Sequence, residues 1–262
     1  MKKDVQSQKD HRQIPIERVG VKEVHYPVIV LDRANRYQAT VARINMFVNL
    51  PHNFKGTHMS RFIEVLNQHH GRISLQNLHQ ILKDLMKSLN ARSAHIELSF
   101  PYFLKKQAPV SQEQSLMEYI CHYIGDRKGD KEEFMVGVEV PLSTLCPCSK
   151  EMSQFGAHNQ RGLVRVMLKF KEFFWIEDVI ELVESSASAP VYALLKREDE
   201  KFITELAYKN PRFVEDLVRE VSRKLKKNGN FPWFKVEAEN FESIHNHNAY
   251  AMVEWREKKR KE

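Results

Sequence analysis

Cysteine is scarce in this chain of 262 residues: it has three, at positions 121, 146 and 148. That is too few, and too uneven a spacing, for a disulfide framework. Cys146 and Cys148 lie two apart, which also disfavours an unstrained bridge between them. Long apolar runs are missing too. None approaches the roughly 18–20 residues that a membrane span needs. The opening MKKDVQSQKDHRQ carries charge but no apolar stretch of the secretory kind. These absences favour a reducing, cytoplasmic setting without a membrane, and residues 1–18 read as a flexible leader. Neither GxxxxGK[ST] nor GxGxxG occurs, so a P-loop or Rossmann nucleotide site has no support.

What is present is enough for a full core: 42% of the residues are hydrophobic, and no segment is of low complexity. The net charge is +7, part of it in the closing REKKRKE. A basic balance suits nucleic acid or a small polyanion such as a nucleoside triphosphate. The basic residues are dispersed or terminal rather than striped along a helix, which argues against nucleic acid.

Hydrophobic periodicity orders the chain. Gln38 to Leu50 alternates as a half-buried strand, with Ala42, Ile44, Met46 and Val48 on one face. A helix carrying Phe62, Val65 and Leu66 follows and stops by Gly71. A second starts from Ser74 as its cap and presents Leu78, Ile81, Leu82 and Leu85. Strands are predicted at Ala94–Phe100 and Leu116–Ile124. The pattern then restarts, with strands Phe134–Leu142 and Val164–Phe170 and helices around Val179–Val183 and Phe202–Leu206. A further helix is expected from Asn210 as cap and Pro211 as first residue to Asn228–Gly229. Two strands, Phe234–Phe241 and Ala249–Trp255, close the order. Strands, helices, strands, twice over, predict an α+β protein of two tandem modules, residues 19–128 and 129–256, with a basic tail at 257–262. GTHMSR in the first half echoes GAHNQR in the second.

The chemistry collects in LCPCSKEMSQFGAHNQR, read as a loop between strands. The Cys146–Cys148 spacing is one short of a zinc-ribbon pair, and two structural thiols at a strand end are the plainer alternative. His158 lies among loop residues rather than on an apolar face. One thiolate and one imidazole leave a divalent ion unsaturated, so a carboxylate and a water should complete it, as in catalytic sites. Downstream, REDEKF offers Glu198, Asp199 and Glu200 at a helix start, where acidic residues also suit the helix dipole. Glu215 sits in another helix's first turns; it is either solvated or a partner for the N1–H and amine of a guanine. FESIHNHNA crowds Glu242, His245 and His247 into a connection that turn chemistry alone does not explain. Lys55, His58 and Arg61 enter a helix as a basic loop of the kind that holds phosphate, or one that is simply solvated.

Taken together, LCPCSKEMSQFGAHNQR, NFKGTHMSRF, NPRFVED and FESIHNHNA resemble the type IB GTP cyclohydrolases, in the same order and over nearly the whole chain. The resemblance implies two tunnelling-fold (T-fold) modules per chain and a homotetramer with interfacial active sites. It also implies GTP as substrate and one divalent ion per site, manganese, iron or zinc. By similarity, Cys146, His158 and Glu200 are the metal ligands. Cys148 stands beside the metal in the catalytic set without being an obligatory ligand. Glu215 anchors guanine, Glu242 and His245 act near the reacting ring, and Lys55, His58, Arg61 and Arg161 meet the triphosphate. The reaction implied opens the imidazole ring of GTP at C8, releases formate and forms 7,8-dihydroneopterin triphosphate. A relative that yields a 2′,3′-cyclic phosphate, and a non-catalytic pterin- or nucleic-acid-binding T-fold protein with a structural metal, are the rival expectations.

Overall fold

A computed structural model describes residues 6, 8–69 and 73–258. The chain is α+β, with long antiparallel strands and amphipathic helices. It divides into two compact units that are not consecutive halves: residues 1–101 with 122–136, and residues 102–121 with 137–262. Strands β3 (Ser93–Gln107), β4 (Gln114–Lys128) and β5 (Lys131–Leu145) each give residues to both.

In the first unit, β1 (Ile16–Asp32) pairs with β2 (Arg36–Leu50), and β2 pairs with β3 from Arg43↔Ser99 to Val48↔Ala94. Period-2 alternation buries Ala42, Ile44, Met46 and Val48 on one face, as expected. Two helices, α1 (Ser60–Gln68) and α2 (Leu75–Ser88), turn Phe62, Val65, Leu66, Leu78, Ile81, Leu82 and Leu85 inward. A side chain at Gly125 would meet Leu82, Ile96 and Phe134 at 3.2 Å each, so α2 lies tight against the sheet there. Each such buried aliphatic contributes about 1.5–3 kcal/mol of apolar burial. Ser74 caps α2 as predicted, although its hydroxyl donates to Asn77 rather than accepting from the backbone. The Gly71 stop lies outside the described residues.

Sequence reading missed β1. Its register slips between Ile16 and Val19 and again between Val21 and Val24, where Glu23 takes a positive φ of 59°. Such bulges break the alternation by which a strand is recognised, and Pro27 is tolerated because β1 is an edge strand. The expected leader, residues 1–18, overlaps the start of β1. Residues 16–18 already belong to β1, and the Gln6 and Gln8 carbonyls accept from the Gly56 and Lys55 N–H groups at 3.1 and 3.0 Å. Part of the expected flexible stretch is thus paired with the loop that precedes α1. Of the basic tail, residues 259–262 lie outside the described residues.

In the second unit β5 is followed by α3 (Pro147–Met152), β6 (Asn159–Lys169), α4 (Ile176–Glu184) and the two-residue β7 (Ala189–Pro190). Then come α5 (Arg197–Lys209), α6 (Val214–Asn228), β8 (Trp233–Asn240) and β9 (Ala249–Arg256). β6 pairs with β8 from Gly162↔Asn240 to Lys169↔Trp233, and β8 pairs with β9. α6 packs on β8 and β9 through Leu217, Val218, Val221 and Leu225. Its start differs from expectation. Asn210 ends α5, and α6 begins at Val214, because the Asp216 carboxylate reaches back to the Phe213 N–H at 3.0 Å. Gly229, at φ 78°, ends it as expected. Among the described residues no helix is long and apolar enough to cross a membrane.

Candidate active site

The antiparallel order of β6 and β8 brings two connections, β5–β6 and β8–β9, to one end of the second unit's sheet. β5 ends at Leu145 and β6 begins at Asn159, while the β8–β9 connection opens at Phe241. The Phe241 N–H donates to the Arg161 carbonyl at 2.9 Å, which closes the corner between the two.

Between β5 and β6 the chain is not all loop. Pro147, with its preset φ, opens the six-residue α3, and Cys146 is its N-cap, its sulfur accepting from the Ser149 N–H at 3.4 Å. The Cys146 N–H donates to the His158 carbonyl at 3.1 Å, and the His158 N–H donates to the Ser149 hydroxyl at 3.2 Å. Sulfur and imidazole are therefore held by backbone pairing, with no appeal to side-chain packing. Cys148, the second residue of α3, is exposed. His158 Nδ1 lies 3.0 Å from Gln160 Oε1 and 3.9 Å from Glu242 Oε2, with the His158 and Glu242 side chains only 14% and 13% exposed. The carboxylate and the imidazole are thus enclosed side by side. His245 and His247 stack 5.0 Å apart on the exposed connection after Glu242.

Glu200 is brought less far. It is exposed in the first turn of α5, next to the fully buried Asp199. Burial alone would raise the Asp199 pKa. The Ser111 hydroxyl at 2.5 Å and the N–H groups of Ser111, Lys196 and Val110 outweigh it and hold the carboxyl well below the usual range. Asp199 thus ties the start of α5 to the β3–β4 connection. Near the other end of α5, the Tyr208 carbonyl accepts from Lys150 of α3 at 2.6 Å. At about 1.5 Å rise per residue, Glu200 lies roughly 12 Å along the helix from that clasp. Among the described residues, no three His, Cys, Asp or Glu side chains gather closely enough to hold a metal. The donor chemistry of Cys146 and His158 nevertheless suits a divalent transition ion: one sulfur, and one imidazole whose second nitrogen, Nε2, is not the one turned to Gln160.

Glu215 is exposed in the first turn of α6, and no described residue pairs with its carboxylate. Arg161 is exposed at the start of β6. Lys55, His58 and Arg61 lie in the first unit, where His58 and Arg61 line a pocket of about 210 Å³ before α1. Arg61 has a structural task as well: its guanidinium donates to the Ser88 carbonyl at 2.8 Å, at the carboxyl end of α2.

Sequence reasoning passed over Gln160, Thr144 and Arg212, and offered Asp199 only as one of three candidate carboxylates beside Glu200. Thr144 and Gln160 each fall in phase with the buried residues of their strands, a polar residue on an apolar stripe, and that was the available signal. The Arg212 N–H donates to the Leu145 carbonyl at 3.0 Å, so NPRFVED seats against the end of β5.

A larger pocket, of about 600 Å³ in the first unit, is lined by Arg18, Phe47, His95, Asp126 and Arg127 among others. None of the candidate catalytic, metal or substrate residues read from sequence lines it. Its imidazole is spent: His95 sits 2.6 Å from Asp126 and 2.8 Å from Glu97. Burial alone would lower the His95 pKa, but these two hydrogen bonds raise it.

The fold is α+β with a large antiparallel sheet, of the uricase-like tunnelling class. Uricase from Arthrobacter globiformis superposes with a TM-score of 0.53 at 9% identity, over 93% of this chain and 94% of its own. Urate oxidase from Bacillus subtilis 168 gives 0.53 at 9% identity, over 92% and 98%. At such identity the likeness is one of fold alone. The family described as type I GTP cyclohydrolase folE2 matches residues 2–251. The GTP cyclohydrolase FolE2 of Syntrophus aciditrophicus is 59% identical over 251 residues, 96% of this chain and 98% of that protein. The protein of the same name from Thermosipho africanus is 56% identical, covering 96% and 97%. The chain belongs to the type I GTP cyclohydrolase FolE2 family.

Proposed function

We propose that this chain is a GTP cyclohydrolase, opening the imidazole ring of GTP at C8 with water, releasing C8 as formate and forming 7,8-dihydroneopterin triphosphate. The observation that carries the reading is the Cys146–His158–Glu242 corner, in a chain matched by this family along residues 2–251. Cys146 and His158 would hold a divalent ion, with Glu200 completing the set. When bound, the ion supplies Lewis acidity and lowers the pKa of a water. Manganese, iron and zinc all suit these donors, and affinity alone favours zinc over manganese.

The chain's own groups do the rest. Glu215 accepts from guanine N1–H and the exocyclic amine, fixing the purine; an error of about 1 Å in that placement costs on the order of a hundredfold. Glu242 and His245 move protons during ring opening, loss of formate and reclosure of the ribose carbons. Cys148 would stand beside the metal without being an obligatory ligand. Arg161, with Lys55, His58 and Arg61, neutralises the triphosphate in the assembled enzyme.

The finer architecture belongs to the same proposal: two tandem T-fold modules, 19–128 and 129–256, in a cytoplasmic homotetramer with active sites at subunit interfaces. Large apolar side chains left bare on the segments that carry the candidate residues support an interface there: Met152 is 83% exposed, Phe155 93% and Ile244 64%. Incubating the purified protein with GTP and Mn²⁺ tests the activity. Formate and a fluorescent oxidised neopterin triphosphate are expected. Release of neither sinks the reading, and a cyclic phosphate in the product mass would move the chain to the rival reaction.

A further inference from the structure

β6 turns Gln160, Gly162, Val164, Val166 and Leu168 toward the core. An amide in phase with that apolar row is costly unless both of its ends are satisfied. Gln160 is 7% exposed, and both ends have partners. Its Nε2 donates to the hydroxyl of Thr144, a fully buried residue near the end of β5, at 2.8 Å. That leaves Oε1 facing His158 Nδ1 at 3.0 Å. A carbonyl oxygen only accepts, so the proton of the neutral ring sits on Nδ1. Glu242 Oε2, 3.9 Å from the same nitrogen, pulls in the same direction, since a carboxylate favours a proton on the side it faces. The reversed amide would set Glu242 against a bare lone pair. With Nδ1 protonated, the lone pair is on Nε2, the form a metal requires.

We propose that Gln160, held in place by Thr144, is a positioning residue that fixes His158 as its Nδ1–H tautomer and so presents Nε2 to the divalent ion. This rests on the reading of His158 as a metal ligand.

The test uses the full-length protein labelled with ¹⁵N at histidine and freed of metal by a chelator, at a pH where the ring is neutral. Ring-nitrogen shifts then give the tautomer, and the His158→Ala spectrum assigns the signal. The expected wild-type spectrum shows a protonated Nδ1 and a bare Nε2. In Gln160→Leu that preference should weaken, and Zn²⁺ affinity, measured by chelator competition, should fall about 10- to 100-fold. Thr144→Val, which removes the partner that holds the amide in place, should move both readings the same way by less. A wild-type proton on Nε2, or a folded Gln160→Leu protein with unchanged tautomer and affinity, overturns the proposal. Should Gln160→Leu fail to fold, the wild-type spectrum and Thr144→Val decide it in the same terms. Failure of the parent reading looks different: His158→Ala would then keep its Zn²⁺, whatever the wild-type tautomer.

Discussion

Two histidines, buried His95 in the first unit and half-buried His158 in the second, show how the same side chain is used in opposite ways. His95 is enclosed by carboxylates on both nitrogens, Asp126 at 2.6 Å and Glu97 at 2.8 Å, with Arg18 over the neighbouring Phe47 ring. Nothing is left for a ligand, and the ring serves as the centre of an ion-pair cluster. His158 meets one neutral amide at 3.0 Å and a more distant carboxylate at 3.9 Å, both at Nδ1, with a thiol beside its own backbone. An imidazole paired at both nitrogens holds a fold together. One paired at a single nitrogen is available for chemistry.

The sharpest way to break this contrast is to remove the thiol. Cys146→Ala should strip the metal and lower turnover by at least about a thousandfold while the circular dichroism stays native, since one of three ligands and the activated water are lost together. Wild-type turnover in that variant would show that the corner is as structural as His95. Next in size, Glu215→Ala should raise KM for GTP by at least about a hundredfold, from the loss of two charge-assisted hydrogen bonds at about 1.5–3 kcal/mol each. An unchanged KM would reject the guanine anchor.

A smaller effect is expected at Asp199. Asp199→Asn should loosen the start of α5, speeding amide exchange at Val110, Ser111 and Lys196 on the order of tenfold, with a partial loss of bound metal through Glu200. Unaltered exchange at those amides would mean that the helix start is held by something else.

The smallest effect on activity should come from His95→Gln, which leaves turnover in place and acts on stability. Charge-assisted hydrogen bonds to partners that are 42% and 37% exposed are partly screened, which leaves about 1–2 kcal/mol. The His95 pKa is raised on folding, so its contribution is complete below the unfolded imidazole value, near 6.5, and fades as pH rises through the higher folded value. Urea midpoints should therefore separate wild type from His95→Gln more at pH 6 than at pH 9. Equal separation at both would show that His95 does not titrate with folding.

How far the sequence was legible depended on how local the determining physics is. β2 could be read because alternate side chains over its whole length share one face. β1 could not, since two slips in register interrupt the period at Ile16–Val19 and Val21–Val24. The start of α6 was misplaced because the Asn210–Pro211 signal is strong in isolation, whereas the chain uses Asn210 to end α5 and lets Asp216 set the next start. At the site, Cys146 and His158 were found from residue type and spacing. Gln160 escaped because an amide within an apolar alternation announces nothing until its two partners are seen.

The sequence by itself determined the residue types, their order, the strands and helices whose period is unbroken, and the family to which the chain belongs. Those properties follow from side-chain chemistry repeated at short range. Only the tertiary structure decided which strand ends meet, that Glu242 faces the Gln160 side of the His158 ring, and that Asp199 turns into the fold while Glu200 turns out of it. Each of those depends on antiparallel pairing between segments far apart in the chain, and the energy of a hydrogen bond or a buried charge is fixed by what the other segment brings to it.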